Sequence, residues 1–280
     1  MYYYGARYYD PRISIFVSVD PLAEQTMTPY QYVHNNPIMF TDPTGMSAEG
    51  DFFTSEGKKI GTDGINDGKK YILTNSNDIR NAKDSYFGKG VGGFFNKLFN
   101  SGGKGTIGTN QIGSHITLPS DTVLEESLNV LDRTIANGGL REESSIVMND
   151  GTVIQGQTGS MPTIVNGVQI ATASLPNLPA GTTPADAEAT IHSHPTTVQQ
   201  VGNQIYPQSA SVPSGADRGT FSQYNTNIIV GPLGTVNNAT TKPDGTLSIP
   251  NRPNGVVIYD RNTTPQVELT RKAVQKILKN

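Results

Sequence analysis

The sequence predicts an α+β or α/β fold, a mixed sheet flanked by helices, for the C-terminal part of the chain. Three observations carry that prediction. The stretch "PSDTVLEESLNVLDRTIANGG" (119–139) has a capping residue at Ser120 or Asp121, leucines and an isoleucine at helical spacing, and an Asn-Gly-Gly stop. Short β-like runs follow: "SSIVMND", "GTVIQG", "TIVNGVQIATAS", "ATIHSH", "NTNIIVG", "GTLSIP" and "GVVIYD". The basic tail "TRKAVQKILKN" closes the chain and reads as a short solvent-facing helix. A helix, mixed strands and a terminal helix suit one small layered domain.

At 280 residues the chain is long for one compact unit, and composition divides it into 1–46, 47–115 and 116–280. Gly (30) and Pro (18) are plentiful, so turns and linkers are expected throughout. The net charge is −3 with mixed signs, which gives no bulk attraction to nucleic acid or to an anionic membrane. No apolar run approaches the ~18 residues that span a bilayer. Cysteine is absent, so disulfides and thiolate metal sites are excluded and any metal must use His, Asp, Glu or water. No basic-then-apolar stretch of signal-peptide type heads the sequence, so export would need another carrier.

The first 45 residues hold seven of the twelve tyrosines and three Asp-Pro dipeptides. Tyr-rich alternation broken by DP, NNP and DPTG predicts short strands and tight turns, too small alone to bury so many rings. The stretch "YYYGARYYDPRISIFVSVDPLA…PYQYVHNNPIMFTDPTG" resembles the Rhs repeat-associated core motif. The resemblance implies the end of a β shell that encloses a variable C-terminal toxin, with the shell's repeats lying outside this sequence. It also implies self-cleavage by aspartates, for which Asp10 and Asp20 are the acidic positions. The family's usual Gly-Arg before the Phe is replaced by Ser14-Ile15 before Phe16.

Residues 47–115 are rich in Gly, Asn and Lys. "FFTSEGKKIGTDGINDGKKYIL" reads as a hairpin or meander, and "GKGVGGFFNKLFNSGGKGTIG" as a linker with room for a short helix. His115, at the end of that stretch, is expected in a loop with no role. In the helix over 120–136, Leu124, Leu128, Leu131 and Ile135 form the expected apolar stripe.

Two of the four histidines sit in "IHSHPTT" (191–197). If "ATIHSH" is a strand, His192 and His194 share a face, because side chains alternate with period two, and Pro195 ends the strand beside them. Two imidazoles on one face can hold one small cation, which then wants a third ligand. "PSGAD" (213–217) offers one: Ser214 and Asp217 share a face if a helix begins there, although Ser-x-x-Asp is equally a capping pattern. A carboxylate near the cation could serve as general base, and "LREESSIVMND" offers Glu142 and Glu143, the alternative being two exposed charges at a strand start. Glu188 shares the histidine face by parity and reads first as a surface or ion-pair residue.

The order Glu … His-x-His-Pro … Ser-x-x-Asp resembles the JAMM signature of JAB/MPN metallopeptidases. That resemblance implies a JAB/MPN-like sheet flanked by helices, with a helix before the Glu strand and an apolar strand, here "IIVG", after the Asp. It implies zinc held by His192, His194 and Asp217, Glu142 as the base acting on the zinc-bound water, and Ser214 as hydrogen-bond donor to the oxyanion. Glu142 rather than Glu143 follows from register, which puts Ser145 where the family has a small residue. The insert "PTTVQQVGNQIYPQSASVP" is about twice the family's usual length, a change that costs only ~0.6 kcal/mol per doubling. Ser-Ser also replaces the glycine-rich continuation after the Glu.

Together the two resemblances imply an Rhs-type polymorphic toxin, delivered by a specialised secretion system in interbacterial competition. Its zinc peptidase or isopeptidase would act on a protein or peptide in a target cell, with a cognate immunity protein as partner. Neither nucleic acid nor membrane insertion is expected. The alternatives are a non-catalytic JAB-fold binding module and, lower, a nuclease, for which a basic face is missing.

Overall fold

The structure, a computed structural model, describes residues 2–3, 8–10, 12–13, 15–19, 30, 50–64, 67–87, 106–235, 240–241, 243–244, 247–249 and 251–280. Ser14, Asp20 and the expected short helix within 88–105 lie outside the described residues. The chain forms two compact units, one of Met1–Thr54 with Lys59–Leu118 and one of Ser55–Lys58 with Pro119–Asn280.

In the first unit, β1 (Tyr2–Tyr3), β2 (Tyr8–Asp10) and β3 (Ile15–Phe16) form an antiparallel sheet, with Tyr9 set edge-on to Phe16. Asp10 accepts hydrogen bonds from the backbone and guanidinium of Arg12, which hold its pKa down at about 2. A second sheet has the order β5 (Lys59–Thr62), β4 (Asp51–Phe53), β6 (Lys70–Leu73), β7 (His115–Thr117). β4 and β5 form the expected antiparallel hairpin, while a meander is ruled out because β6 runs parallel to β4. The helix α1 (Ser76–Tyr86), unanticipated in a Gly- and Asn-rich region, fills the connection from β6 to β7. Asn75 caps it, and the buried Asp78 accepts from the backbone N–H groups of Gly113 and Ser114, tying the later loop to the helix. His115 is in a strand rather than a loop, edge-on to Tyr71 at 5.0 Å.

The second unit is built on a six-stranded mixed sheet, so the chain is an α+β protein. It opens with α2 (Asp121–Ala136), capped by Ser120, whose side chain accepts from Val123 N. Then come β8 (Ser144–Met148), β9 (Val153–Gln155), the hairpin β10 (Thr163–Val165) and β11 (Val168–Ile170), and β12 (Ala187–Ser193). The long insert after the histidines is itself a hairpin, β13 (Gln199–Val201) and β14 (Gln204–Tyr206). It leads to α3 (Gly215–Phe221), β15 (Thr226–Pro232), the pair β16 (Thr240–Thr241) and β17 (Leu247–Ser248), β18 (Asn254–Asp260), β19 (Pro265–Thr270) and α4 (Arg271–Ile277). The sheet order is β19-β18-β15-β12-β8-β9, with only the β12–β15 pair parallel.

Parity decides what each central strand offers. Ser193 and Ser145 point to α2, where Thr134 donates to Ser193 and Ser145 joins Glu126 and Arg133 in a buried polar network. His192 and Ser144 stand opposite one another on the other face. The expected stripe of α2 holds at Leu124 and Leu131 and not at its other two positions. The buried face runs through Val123, Leu124, Ser127, Val130, Leu131 and Thr134, while Leu128 is half-buried and Ile135 is exposed. The tail helix α4 is likewise not purely solvent-facing, since it buries Ala273, Val274 and Ile277. "GTLSIP" contributes β17 to a separate two-stranded pair, and one edge of the main sheet is "PQVELT" of β19, which buries Val267 and Leu269.

Gly255 in β18 admits no side chain, because a Cβ there would meet the Leu269 carbonyl at 2.2 Å and Leu233 Cδ1 at 2.6 Å. Gly255→Ala is expected to cost about 1–3 kcal/mol by overpacking. A urea titration followed by circular dichroism should show a lower midpoint than wild type.

Candidate metal centre

His192 lies at the end of β12 and His194 just beyond it, and both are buried. Pro195 ends the strand while the backbone N–H of His194 still donates to Val230 O, which extends the parallel ladder by one bond. Opposite them, α3 begins at Ser214. Ser214 Oγ accepts from Asp217 N at 3.2 Å, and Asp217 Oδ2 accepts from Ser214 N, a reciprocal capping box. The capping and ligand readings of Ser-x-x-Asp therefore coexist. While its Oδ2 caps the helix, the carboxylate of Asp217 stands 3.1 Å from His192 Nε2 through Oδ1 and 3.3 Å from His194 Nε2 through Oδ2. One ligand atom from each of these three residues falls within 4.8 Å of the others.

The donor chemistry fits a cation. His194 Nδ1 lies 2.7 Å from Ser209 O, and a carbonyl only accepts, so Nδ1 carries the proton. In the neutral ring Nε2 is then an acceptor facing a carboxylate oxygen, an arrangement that a proton or a metal ion must bridge. His192 Nε2 is buried with no hydrogen-bond partner although Asp217 Oδ1 is near. Two imidazole nitrogens and one carboxylate oxygen form a donor set that could hold a metal ion. The carbonyl of Ser209 orients the His194 ring. Nothing in the sequence around Ser209 announces that function, because any residue's carbonyl would serve.

Burial opposes charging His194, but Asp217 and Glu142 outweigh it, so its pKa stands above the ordinary 6.5. Burial likewise opposes the Asp217 anion, and the two histidines overcome it, so its pKa lies well below the usual range.

The two adjacent glutamates are both buried, unlike exposed charges at a strand start, and they part company by parity. Glu143 turns to α2, where it accepts from Asn137 Nδ2 at 2.8 Å and lies 3.9 Å from Arg133 Nε. Glu142 turns to the histidine face and lines one cleft with His192, His194, Ser214 and Asp217. Its Oε2 accepts from the backbone N–H of Ala173 at 3.1 Å, a contact with no sequence signal. Burial raises the Glu142 pKa, and the nearby histidines pull only partly against it. Glu188 is not part of the centre; both its oxygens accept at 2.7 Å from Ser120, at the start of α2.

Two curated proteins resemble a 48-residue segment of the chain. It is 44% identical over 48 residues to "Toxin subunit YenC2" of Yersinia entomophaga and 46% identical over 48 residues to "Salivary gland surface protein 1" of Aedes aegypti. The segment is 17% of this chain in both matches, and covers 5% of the first protein's length and 1% of the second's. No family model and no solved structure matches. Among the described residues, no helix is long and apolar enough to cross a membrane.

A metal ion binding at this cluster would have to displace the proton that His194 holds more tightly than usual. The folded pKa of His194 exceeds its unfolded value, so this group stabilises the metal-free fold fully below about pH 6.5 and ceases to as pH rises through the folded pKa. Zinc affinity moves the other way. The rise in melting temperature on adding zinc should therefore be larger at about pH 8 than at about pH 6, as differential scanning fluorimetry would show.

Proposed function

We propose that the second unit is a zinc-dependent peptidase or isopeptidase of the JAB type, carried as the C-terminal toxin of an Rhs-type protein. The observation that carries this reading is the convergence of His192, His194, Asp217, Glu142 and Ser214 on one cleft. The mixed sheet with α2 ahead of the Glu142 strand supports the JAB-like fold, and the similarity to a toxin subunit supports the toxin role.

A zinc ion at His192, His194 and Asp217 would supply a water of lowered pKa and a Lewis acid for the scissile carbonyl. The protein's own groups do the rest. Glu142 takes the proton of the attacking water and returns it to the leaving amine nitrogen, and its raised pKa suits that exchange near neutral pH. The Ala173 N–H fixes one of its oxygens, so the carboxylate is held in place for transfer through the other. Ser214 Oγ accepts from Asp217 N and keeps its own O–H to donate to the oxyanion. Burial of Glu142 and of the two histidines strengthens the interactions they make.

The Rhs-like start of the chain supports delivery by a specialised secretion system within a β shell, action on a protein or peptide of the target cell, and a cognate immunity protein in the producer. A nuclease reading is disfavoured because, among the described residues, no Lys or Arg lines the cleft to hold a phosphodiester.

Metal analysis of the full chain should find about one zinc per wild-type molecule and almost none in His192→Ala. Glu142→Gln should keep its zinc yet lose toxicity on expression in bacteria by at least ~100-fold, the lower end of a general base's contribution. Absence of zinc in the wild type would sink the reading, and full toxicity of Glu142→Gln would move it to a zinc-holding binding module.

A further inference from the structure

Tyr259 stands on the histidine face of the sheet. It pairs with Asn227 in register, Asn227 pairs with Thr190, and His192 follows Thr190 by two residues, so all four share one side. The residue is buried, at 1% exposure, in a cluster with Ala210, Phe221, Ile229, Leu233 and Val257. A buried tyrosine ordinarily pairs its hydroxyl with whatever acceptor lies in reach. What sets Tyr259 apart is where its hydroxyl and its ring lead, because both end on the metal cluster.

The hydroxyl donates to Ala210 O at 2.7 Å. Burial raises its pKa, so it keeps the proton with which it donates. Two successive peptide units are fixed at this point. In the first, Ser209 O meets His194 Nδ1 at 2.7 Å while Ala210 N donates to Pro232 O at 2.8 Å. In the second, Ala210 O accepts from Tyr259 while Ser211 N donates to Ser209 Oγ at 3.1 Å. Ala210 has no exposed surface, so without the Tyr259 hydroxyl its carbonyl would be left buried and unpaired. An unpaired buried acceptor is costly, and turning that peptide to find a partner would swing the neighbouring Ser209 carbonyl off His194.

The ring leads to the other two residues of the cluster. It packs on Phe221, with centroids 5.5 Å apart at 38°, and the Phe221 ring lies 6.0 Å from that of His192 at 57°. Phe221 is also the last residue of α3, about one turn after Asp217. Its packing therefore sets the position of the short helix that carries the carboxylate.

We propose that Tyr259 is a positioning residue of the metal centre, holding His194 through the Ser209–Ala210 segment, and His192 and Asp217 through Phe221. The proposal rests on the part of the functional reading that puts a divalent cation at this cluster, and is indifferent to the reaction that follows. Groups that orient ligating side chains typically change metal affinity by about 10–100-fold when removed. Tyr259 acts one peptide further out than Ser209, so the lower end of that range is expected.

The test uses the full chain as wild type, Tyr259→Phe and Val123→Ala. Tyr259→Phe removes the hydroxyl and leaves the ring. Val123→Ala opens the core under α2, on the opposite face of the sheet, and reports what a general loss of stability does. Each metal-free protein is melted, then titrated with Zn²⁺ against a competing chelator and with Co²⁺, whose visible absorption reports the ligand geometry. Tyr259→Phe should bind Zn²⁺ about tenfold more weakly than wild type and show an altered Co²⁺ spectrum. Val123→Ala should melt lower yet keep the wild-type Zn²⁺ affinity and Co²⁺ spectrum. Unchanged Zn²⁺ affinity in Tyr259→Phe, an equal loss of affinity in Val123→Ala, or loss of the folded far-ultraviolet spectrum in Tyr259→Phe would each overturn the proposal. A wild-type chain that takes up neither ion would refute the metal centre itself, and the proposal with it.

Discussion

The centre depends on one constraint, the parallel pairing of β12 with β15. The register runs from Thr190 opposite Asn227 to Ser193 opposite Val230. Parallel neighbours cannot be joined by a tight turn, so residues 195–225 must cross over the sheet and return. α3 lies in that crossover, which sets its first turn against the carboxyl end of β12, where open sheets that contain parallel strands place their ligands. Asn227 fastens the arrangement from below: its Oδ1 accepts from Thr190, and its Nδ2 donates to the carbonyls of Phe221 and Tyr224 at the far end of α3. Phe221 itself packs with Ile229, Val257 and Tyr259, so the helix that carries Asp217 is anchored in the core.

The same crossover explains why the long insert between His194 and Ser214 does not disperse the site. Its first part folds back as β13 and β14, and its last part is pinned to the end of β15. Ala210 N donates to Pro232 O, and Arg252 donates to Gln208 O and Gly234 O. Ser209 is thereby fixed where its carbonyl meets His194 Nδ1. Extra length went into a closed hairpin whose ends stay close, and such loops add little entropy of closure.

How much of this could be read in the sequence differs from element to element. α2 was legible because its cap, spacing and Asn-Gly-Gly stop agree, although the facing strands' polar side chains rotated its buried face away from Leu128 and Ile135. "ATIHSH" and "PSGAD" were legible because period two and a capping box each fix where side chains go. α1 was hidden by Asn and Lys, since its stability comes from Ala82 and Ile79 packing on a sheet whose parallel pairing has no local pattern. Ser209 and Ala173 were illegible because both act through the backbone, which carries no side-chain signal.

Glu142 and Glu143 show how a choice that sequence leaves open is closed by the sheet. Both residues enter the same strand edge, and neither composition nor charge separates them. Ser193 N donates to Glu143 O, and Glu143 N donates to Ser193 Oγ, which locks Glu143 to the α2 side together with Thr134 and Asn137. Once that residue is committed, period two turns Glu142 to the face of His192 and Ser144. Its surroundings then differ in kind: Glu143 meets Asn137 and the Arg133 guanidinium, while Glu142 meets one peptide N–H and two imidazoles in a cleft without basic side chains.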